Sequence, residues 1–423
     1  MTRRLRLAVL HARGRGQDHY WAHLWEPVSR FADARYAAFA GPADDAIVAP
    51  HVAPIDALPE PDAEDAAART AQALLAPGLD VLVPQVATAF CRHRRHFAEV
   101  IDRVRAAGVR VVATLHNVLP HDVFPVDHGE LAELYDRFDG FLVGSESQRA
   151  LLLERFEVGD RPVAVARHGP ALVLDRGHFD RRTARRHLGL PEEGPGVLFF
   201  GNVRPNKGLD LLLRAAPLLL ARRPDAFVHV STTAWLSEPA DRAAVAARLA
   251  AFAREPGCHV RFEWIASEEI EPTFRACDVV ALPYRAVSQS GILALARAFR
   301  RPVVATEPLR AEGVVPSEGR VVRAEDAQAF AEGLAALLAD PPSPPPPDPS
   351  TWGRHAEALE RICRAVLRRP DPAEGAIGGG PAEGGMGAGP TLQKSVTRPR
   401  GSRASRPSAC ATNTRPSAPT SCW

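Results

Sequence analysis

Short, continuous apolar runs recur along the chain between longer stretches in which apolar residues return at helical spacing. The first kind predicts strands buried on both faces, and the second predicts amphipathic helices. In the first half, residues 5–10, 80–84, 110–115, 140–144 and 162–166 read as strands, with helices over 92–107 and 147–156. In the second half, strands are expected at 196–201, 226–231, 259–263, 278–283, 302–305 and 320–323. Helices are expected between them at 209–222, 240–253, 267–276, 290–300 and 327–338.

Strand–helix alternation of this kind predicts α/β architecture with parallel sheets covered on both faces. Two such series predict two tandem, doubly wound, Rossmann-like domains over 1–170 and 171–340, joined between His168 and Leu190. Residues 341–350 are nearly all Pro, Ser and Asp and predict a stiff, extended connector. A helix over 351–369 follows, with Ser350 or Thr351 as its cap. Its apolar stripe of Trp352, Leu359, Ile362, Cys363 and Val366 predicts that it docks on another element, and we expect it to pack back toward the N-terminal domain. From 370 to 423 the composition collapses into Gly, Pro, Ala, Ser, Thr and Arg, which predicts disorder. A functional linker and an out-of-frame extension both fit that tail.

Size and charge narrow the class. A chain of 423 residues suits two domains plus extras. A formal charge of +2 gives no global field for nucleic acid. The basic run at 92–96 reads as a solvated helix face. No apolar run is long enough to span a bilayer, and Arg6 and His11 interrupt the apolar start, which favours a strand over a leader. A cytoplasmic protein is therefore expected, with room for peripheral membrane contact. Six cysteines (91, 258, 277, 363, 410 and 422) form no Cys-x-x-Cys pair, so reduced thiols are expected, mostly buried before 370. No Asp or His cluster has ligand spacing, so neither metal nor cofactor is expected.

The chemistry concentrates in two segments. Lys207 is one of two lysines among 52 basic Lys and Arg residues, and it lies in Phe-Phe-Gly-Asn-Val-Arg-Pro-Asn-Lys-Gly, residues 199–208. A compact ammonium retained in so arginine-rich a chain marks a point-charge site. Strand, turn with Arg204 and Lys207, then a helix opening at Gly208 is an arrangement that holds phosphate on backbone N–H groups and the helix dipole. The second segment is Ser288-Gln289-Ser290-Gly291, after the strand ending at Pro283. Alone it reads as an ordinary cap; beside the first it suggests a diphosphate ligand.

These segments carry a resemblance. Gly201 to Gly208 with Lys207, the strand Ala276-Cys277-Asp278-Val279-Val280-Ala281-Leu282-Pro283, and Arg300-Arg301-Pro302-Val303-Val304-Ala305-Thr306 resemble the GT-B glycosyltransferases, family 4 in particular. The resemblance implies two Rossmann-like lobes with a cleft between them. The donor, a nucleotide-diphosphate sugar, would sit on the C-terminal lobe, held by Arg204, Lys207, Gly208, Ser288, Gln289, Ser290 and Gly291. Two departures stand out. Asn202 replaces the Arg that often follows the loop's first Gly, leaving Arg204 to supply the cation. The family's Glu-x7-Glu carboxylates fall on Val287 and Leu295, so both are absent.

The acceptor belongs to the N-terminal half. His116, after strand 110–115, is the candidate catalytic residue, as a general base or a hydrogen-bond donor to the sugar; Asp122 is the second choice. Ser145 reads as a helix cap, His168 as a hinge residue facing the donor phosphate, and Trp264 as a surface or packed aromatic. The implied activity is transfer of a sugar to a saccharide or lipid-linked acceptor in polysaccharide or glycolipid assembly. A sugar-nucleotide epimerase and an inactive nucleotide-sugar-binding protein are the alternatives.

Overall fold

The computed structural model describes residues 3–11, 18–39, 55–76, 78–86, 90–91, 93–119, 126–234, 239–287 and 290–370. The tail expected to be disordered lies outside these residues from 371 onward.

Among the described residues, the first sheet has strands β1 (Leu5–His11), β2 (Ala32–Phe39), β3 (Ile55–Leu58), β4 (Val81–Val86), β5 (Arg110–Leu115), β6 (Gly140–Val143) and β7 (Val163–Val165). They pair in the order β3-β2-β1-β4-β5-β6-β7, and every pairing is parallel. The second sheet holds β8 (Gly196–Val203), β9 (Phe227–Ala234), β10 (Cys258–Phe262), β11 (Val279–Leu282), β12 (Val303–Thr306) and β13 (Gly319–Val322). Its order is β10-β9-β8-β11-β12-β13, again parallel throughout. Each is a doubly wound sheet. The strand order reverses between β1 and β4 in one and between β8 and β11 in the other, and ligands of such sheets bind beyond the carboxyl ends of the strands at that switch.

The helices are α1 (Asp18–Ser29), α2 (Ala66–Leu75), α3 (Arg94–Ala106), α4 (His128–Tyr135), α5 (Glu146–Arg155), α6 (Arg181–Leu188), α7 (Leu209–Arg222), α8 (Pro239–Phe252), α9 (Ile270–Ala276), α10 (Gly291–Ala298), α11 (Ala327–Ala339) and α12 (Ser350–Leu367). Side-chain alternation along each strand divides the cores. Ala8, Leu10, Leu82 and Val111 pack with Leu74 of α2 and Phe97 and Ile101 of α3. Leu7, Val9, Val81 and Val83 pack on the other face with Trp21 and Leu24 of α1. In the second sheet, Val197, Phe199, Val228 and Val230 face α7 and α11, while Leu198, Phe227, Val280 and Val303 face α9 and α10. Two buried faces explain why these strands read as continuous apolar runs.

Helix α12 returns to the first sheet. Trp352, Ala356, Leu359, Ile362, Cys363 and Val366 enter the core built on Leu5, Leu7 and Val9. Its start differs from the sequence expectation. Ser350 lies inside the helix, and the Asp348 carboxylate accepts the Ser350 N–H at 2.9 Å, so an aspartate two residues earlier satisfies that donor. Cys91, Cys258, Cys277 and Cys363 are free and buried. No helix among the described residues is long and apolar enough to cross a membrane.

Candidate functional site

The carboxyl ends of β8 and β11 meet at the switch point of the second sheet, and both sequence segments hang there. After β8, Arg204 leads into a single 3₁₀ turn, Pro205–Lys207, and α7 begins at Leu209. Gly208 sits between the two turns at φ +64°, where a side chain is strained. A Cβ at that position would lie 1.9 Å from the Pro283 carbonyl oxygen, so the loop runs directly against the end of β11. No side chain caps α7. The Leu211 and Leu212 N–H groups donate to the Gly208 carbonyl at 3.0 and 3.3 Å, which leaves the Leu209 N–H ahead of them able to meet an anion.

Two cations flank that helix start. Arg204 is half-buried, its pKa pulled down by desolvation, and its buried Nε has no hydrogen-bond partner among the described residues. The Lys207 ammonium lies over the Tyr284 ring, 3.8 Å from its centroid. Neither cation has a carboxylate partner among the described residues, and a partly desolvated cation without one is able to receive an anion. Neighbouring Arg285 is the contrast. It holds Asp210 through two hydrogen bonds of 2.8 and 2.6 Å and also binds Glu325, so its charge is already answered.

The second segment is described only in part, because Ser288 and Gln289 lie outside the described residues. Ser290 is buried and caps α10, its Oγ accepting the Leu293 N–H at 3.1 Å. That matches the cap reading, yet a hydroxyl that accepts still has a proton to donate. Gly291 opens the helix, and a Cβ placed there would meet nothing within 4 Å. Glu312, which the sequence did not single out, lies beside this turn. Burial pushes its carboxyl up in pKa, while the Ser290 backbone N–H and the charges of Arg297 and Arg167 pull it back. Of the two vacant carboxylate positions, Leu295 packs in the apolar core and Val287 lies against its edge.

In the first sheet the carboxyl ends gather imidazoles. His116 follows β5, and its Nε2 is 3.0 Å from Gln85 Oε1 on β4. A carbonyl oxygen accepts, so Nε2 carries the proton and Nδ1 keeps a lone pair. Burial, then the nearby His11 and His355, lower the His116 pKa to about 3. The ring sits among Tyr20 (5.2 Å) and His168 (5.8 Å). Burial also lowers His355 to about 4 and His168 well below its ordinary value.

The same cluster ties residues 167–173, which follow β7, to α1 and α12. His355 Nδ1 is 3.0 Å from the Arg167 carbonyl, so it donates there, and Nε2 accepts the Tyr20 hydroxyl at 2.5 Å. Trp352 Nε1 donates to the Pro170 carbonyl at 2.8 Å. His23 Nε2 accepts the Val173 N–H at 3.0 Å, and His19 Nε2 lies 3.1 Å from Ser267 Oγ, reaching from α1 to the second half of the chain. His168 packs with its ring centroid 4.8 Å from that of Tyr20 and 6.1 Å from that of Trp352. Sequence reasoning missed Tyr20, Gln85 and His355, since their roles arise from tertiary contacts alone. Ser145 caps α5 by accepting the Gln148 N–H, and Trp264 is 37% exposed. Asp122 lies outside the described residues.

Comparison with known proteins agrees with this fold. Residues 194–340 match the family model described as "Glycosyl transferases group 1". The chain is 28% identical over 265 residues to D-inositol 3-phosphate glycosyltransferase of Corynebacterium urealyticum, covering 57% of this chain and 61% of the relative. It is 29% identical over 223 residues to D-inositol 3-phosphate glycosyltransferase 2 of Catenulispora acidiphila, covering 49% and 50%. The chain thus spans between 50% and 61% of the length of these relatives. Anabaena HepE in complex with UDP-glucose superposes with a TM-score of 0.62 at 16% identity, covering 86% of this chain and 98% of that one. Sucrose-phosphate synthase from Thermosynechococcus elongatus gives 0.56 at 18% identity, covering 86% and 96%. At such identities the structural likeness is one of fold. The chain thus has the GT-B fold, and its residues 194–340 match a group 1 glycosyltransferase domain.

Proposed function

We propose that this protein transfers a glycosyl group from a nucleoside-diphosphate sugar to a hydroxyl of a saccharide or lipid-linked acceptor. The observation that carries this reading is the pair of cations without carboxylate partners, Arg204 and Lys207, at the uncapped start of α7. In the reaction the acceptor oxygen bonds to the anomeric carbon and gives up its proton to the departing diphosphate oxygen. The bond from that carbon to the diphosphate breaks, and its electron pair leaves on the diphosphate oxygen. Charge therefore grows on the phosphate, and preorganised cations and N–H groups aimed at it lower the barrier. Arg204, Lys207 and the amides at Gly208 and Ser290-Gly291 take that role, joined by Ser288 and Gln289.

His116 stands on the acceptor side. A base with a pKa near 3 is a poor sink for a hydroxyl proton at neutral pH. We therefore assign it the orienting of the acceptor hydroxyl through its unprotonated Nδ1. HepE was solved with UDP-glucose, which supports a nucleotide-sugar donor. The leaving charge in this reading is met by protein cations, so a chelator such as EDTA leaves turnover unchanged.

The direct test is donor hydrolysis and transfer by the parent and Lys207→Ala. A folded variant that loses about a hundredfold or more in kcat supports the assignment, the scale for removing one such stabilising group. Unchanged turnover removes it. The packing of Leu295 in the core, where the family carries a carboxylate, favours one rival: a nucleotide-sugar-binding protein without turnover. Tight binding of a nucleotide sugar with no product from any acceptor would establish that rival.

A further inference from the structure

Lys207 poses a positioning problem. Its ammonium sits on a four-carbon stem with free rotation, and a carboxylate partner would fix it only by cancelling the charge that an anion site needs. An aromatic face fixes a cation without neutralising it. Tyr284 supplies such a face. Its ring centroid is 3.8 Å from Lys207 Nζ, and the residue is 1% exposed. We infer that Tyr284 is a positioning residue whose ring holds the Lys207 ammonium toward the diphosphate site; this rests on the donor reading above.

Three features support the assignment. Tyr284 itself is tied into the fold: its N–H donates to the Leu282 carbonyl at 2.9 Å, its carbonyl accepts the Thr306 hydroxyl, and its side chain lies in the core around Leu282, Phe299 and Leu309. The loop bearing Lys207 is fastened to the same segment. The Arg285 N–H donates to the Asn206 carbonyl at 2.9 Å, Arg285 Nη1 donates to the Pro205 carbonyl at 3.0 Å, and Asn206 Nδ2 reaches the Ala286 carbonyl at 3.3 Å. Ring and ammonium are thus held in register by backbone, and Arg285 is anchored in turn by Asp210 and Glu325. Finally, the Tyr284 hydroxyl is buried with no hydrogen-bond partner among the described residues, which leaves the ring face as the part that meets the ammonium.

The experiment is calorimetric titration with UDP, ADP and GDP, carrying forward whichever binds most tightly. Tyr284→Leu is expected to bind it about tenfold more weakly, and Tyr284→Phe, which keeps the ring, within about twofold of the parent. The double variant Tyr284→Leu/Lys207→Ala is expected to bind no more weakly than Lys207→Ala alone, because the ring acts through the ammonium. Losses that multiply in the double variant overturn the inference while leaving the donor reading intact. Unchanged binding by Lys207→Ala, or binding of none of the three nucleotides, overturns both. If Tyr284→Leu does not fold, phenylalanines of increasing ring fluorination at position 284 keep the shape and drain the ring face. Binding that weakens stepwise with fluorine count supports the cation–ring contact, and binding indifferent to it sinks the inference.

Discussion

Gly208 packs so closely on Pro283 that a Cβ would lie 1.9 Å from the proline carbonyl oxygen, at a backbone φ of +64°. One contact therefore joins the two loops of the candidate donor site, one after β8 and one after β11. Gly208→Ala must move a backbone rather than a side chain and must adopt a left-handed conformation as well. The expected outcome is a loss of roughly 1–3 kcal/mol in stability, read as a lower denaturation midpoint. Nucleotide affinity should fall with it, since the loop shifts away from β11.

Buried neutral imidazoles make the fold acid-sensitive. His116 is held near 3, and His355 and His229 near 4, each chiefly by burial. An unfolded imidazole titrates near 6.5, so below that pH the unfolded chain binds more protons and stability falls. The stability these groups contribute is complete above about pH 7 and is lost as pH drops from 6.5 toward 4, by about 1.4 kcal/mol per pH unit for each group. Denaturant midpoints between pH 7.5 and 5 check this. His355→Gln should flatten the slope by about one proton; an unaltered slope would show that His355 is charged in the fold.

Gly353 offers a test of α12. It lies inside the helix with nothing within 4 Å of its would-be Cβ. Gly353→Ala should stabilise the protein by about 0.5–1 kcal/mol, the ordinary helix penalty of glycine. A thermal melt reads the gain, and no gain would show that the last helix is not limiting in unfolding.

The second sheet was legible because its central strands β8, β11 and β12 are runs rich in Val, Leu, Phe and Ala, largely buried and bounded by Gly, Pro or charge. The first sheet was less so. Strand β2, Ala-Asp-Ala-Arg-Tyr-Ala-Ala-Phe, has few residues of high strand propensity, and only its partners make it a strand. Strand β4 was expected to stop at Pro84, yet it continues to Val86, with Pro84 opposite Leu10 between two neighbouring strands. That early stop left Gln85, the partner of His116, outside the strand. The donor loop was readable because charge type and glycine placement are local. The Tyr20, His355 and Trp352 cluster was not, since α1 and α12 are more than 300 positions apart, Tyr20 and His355 being separated by 335.

The central claim is that Lys207 grips a diphosphate. Its most direct test is the affinity of UDP, ADP and GDP for the parent, Lys207→Ala and Lys207→Arg, with each variant's melting temperature alongside. The account predicts binding weakened tenfold or more in Lys207→Ala at an unchanged melting temperature, with Arg restoring only part of it. A folded Lys207→Ala that binds the nucleotide as tightly as the parent would contradict it.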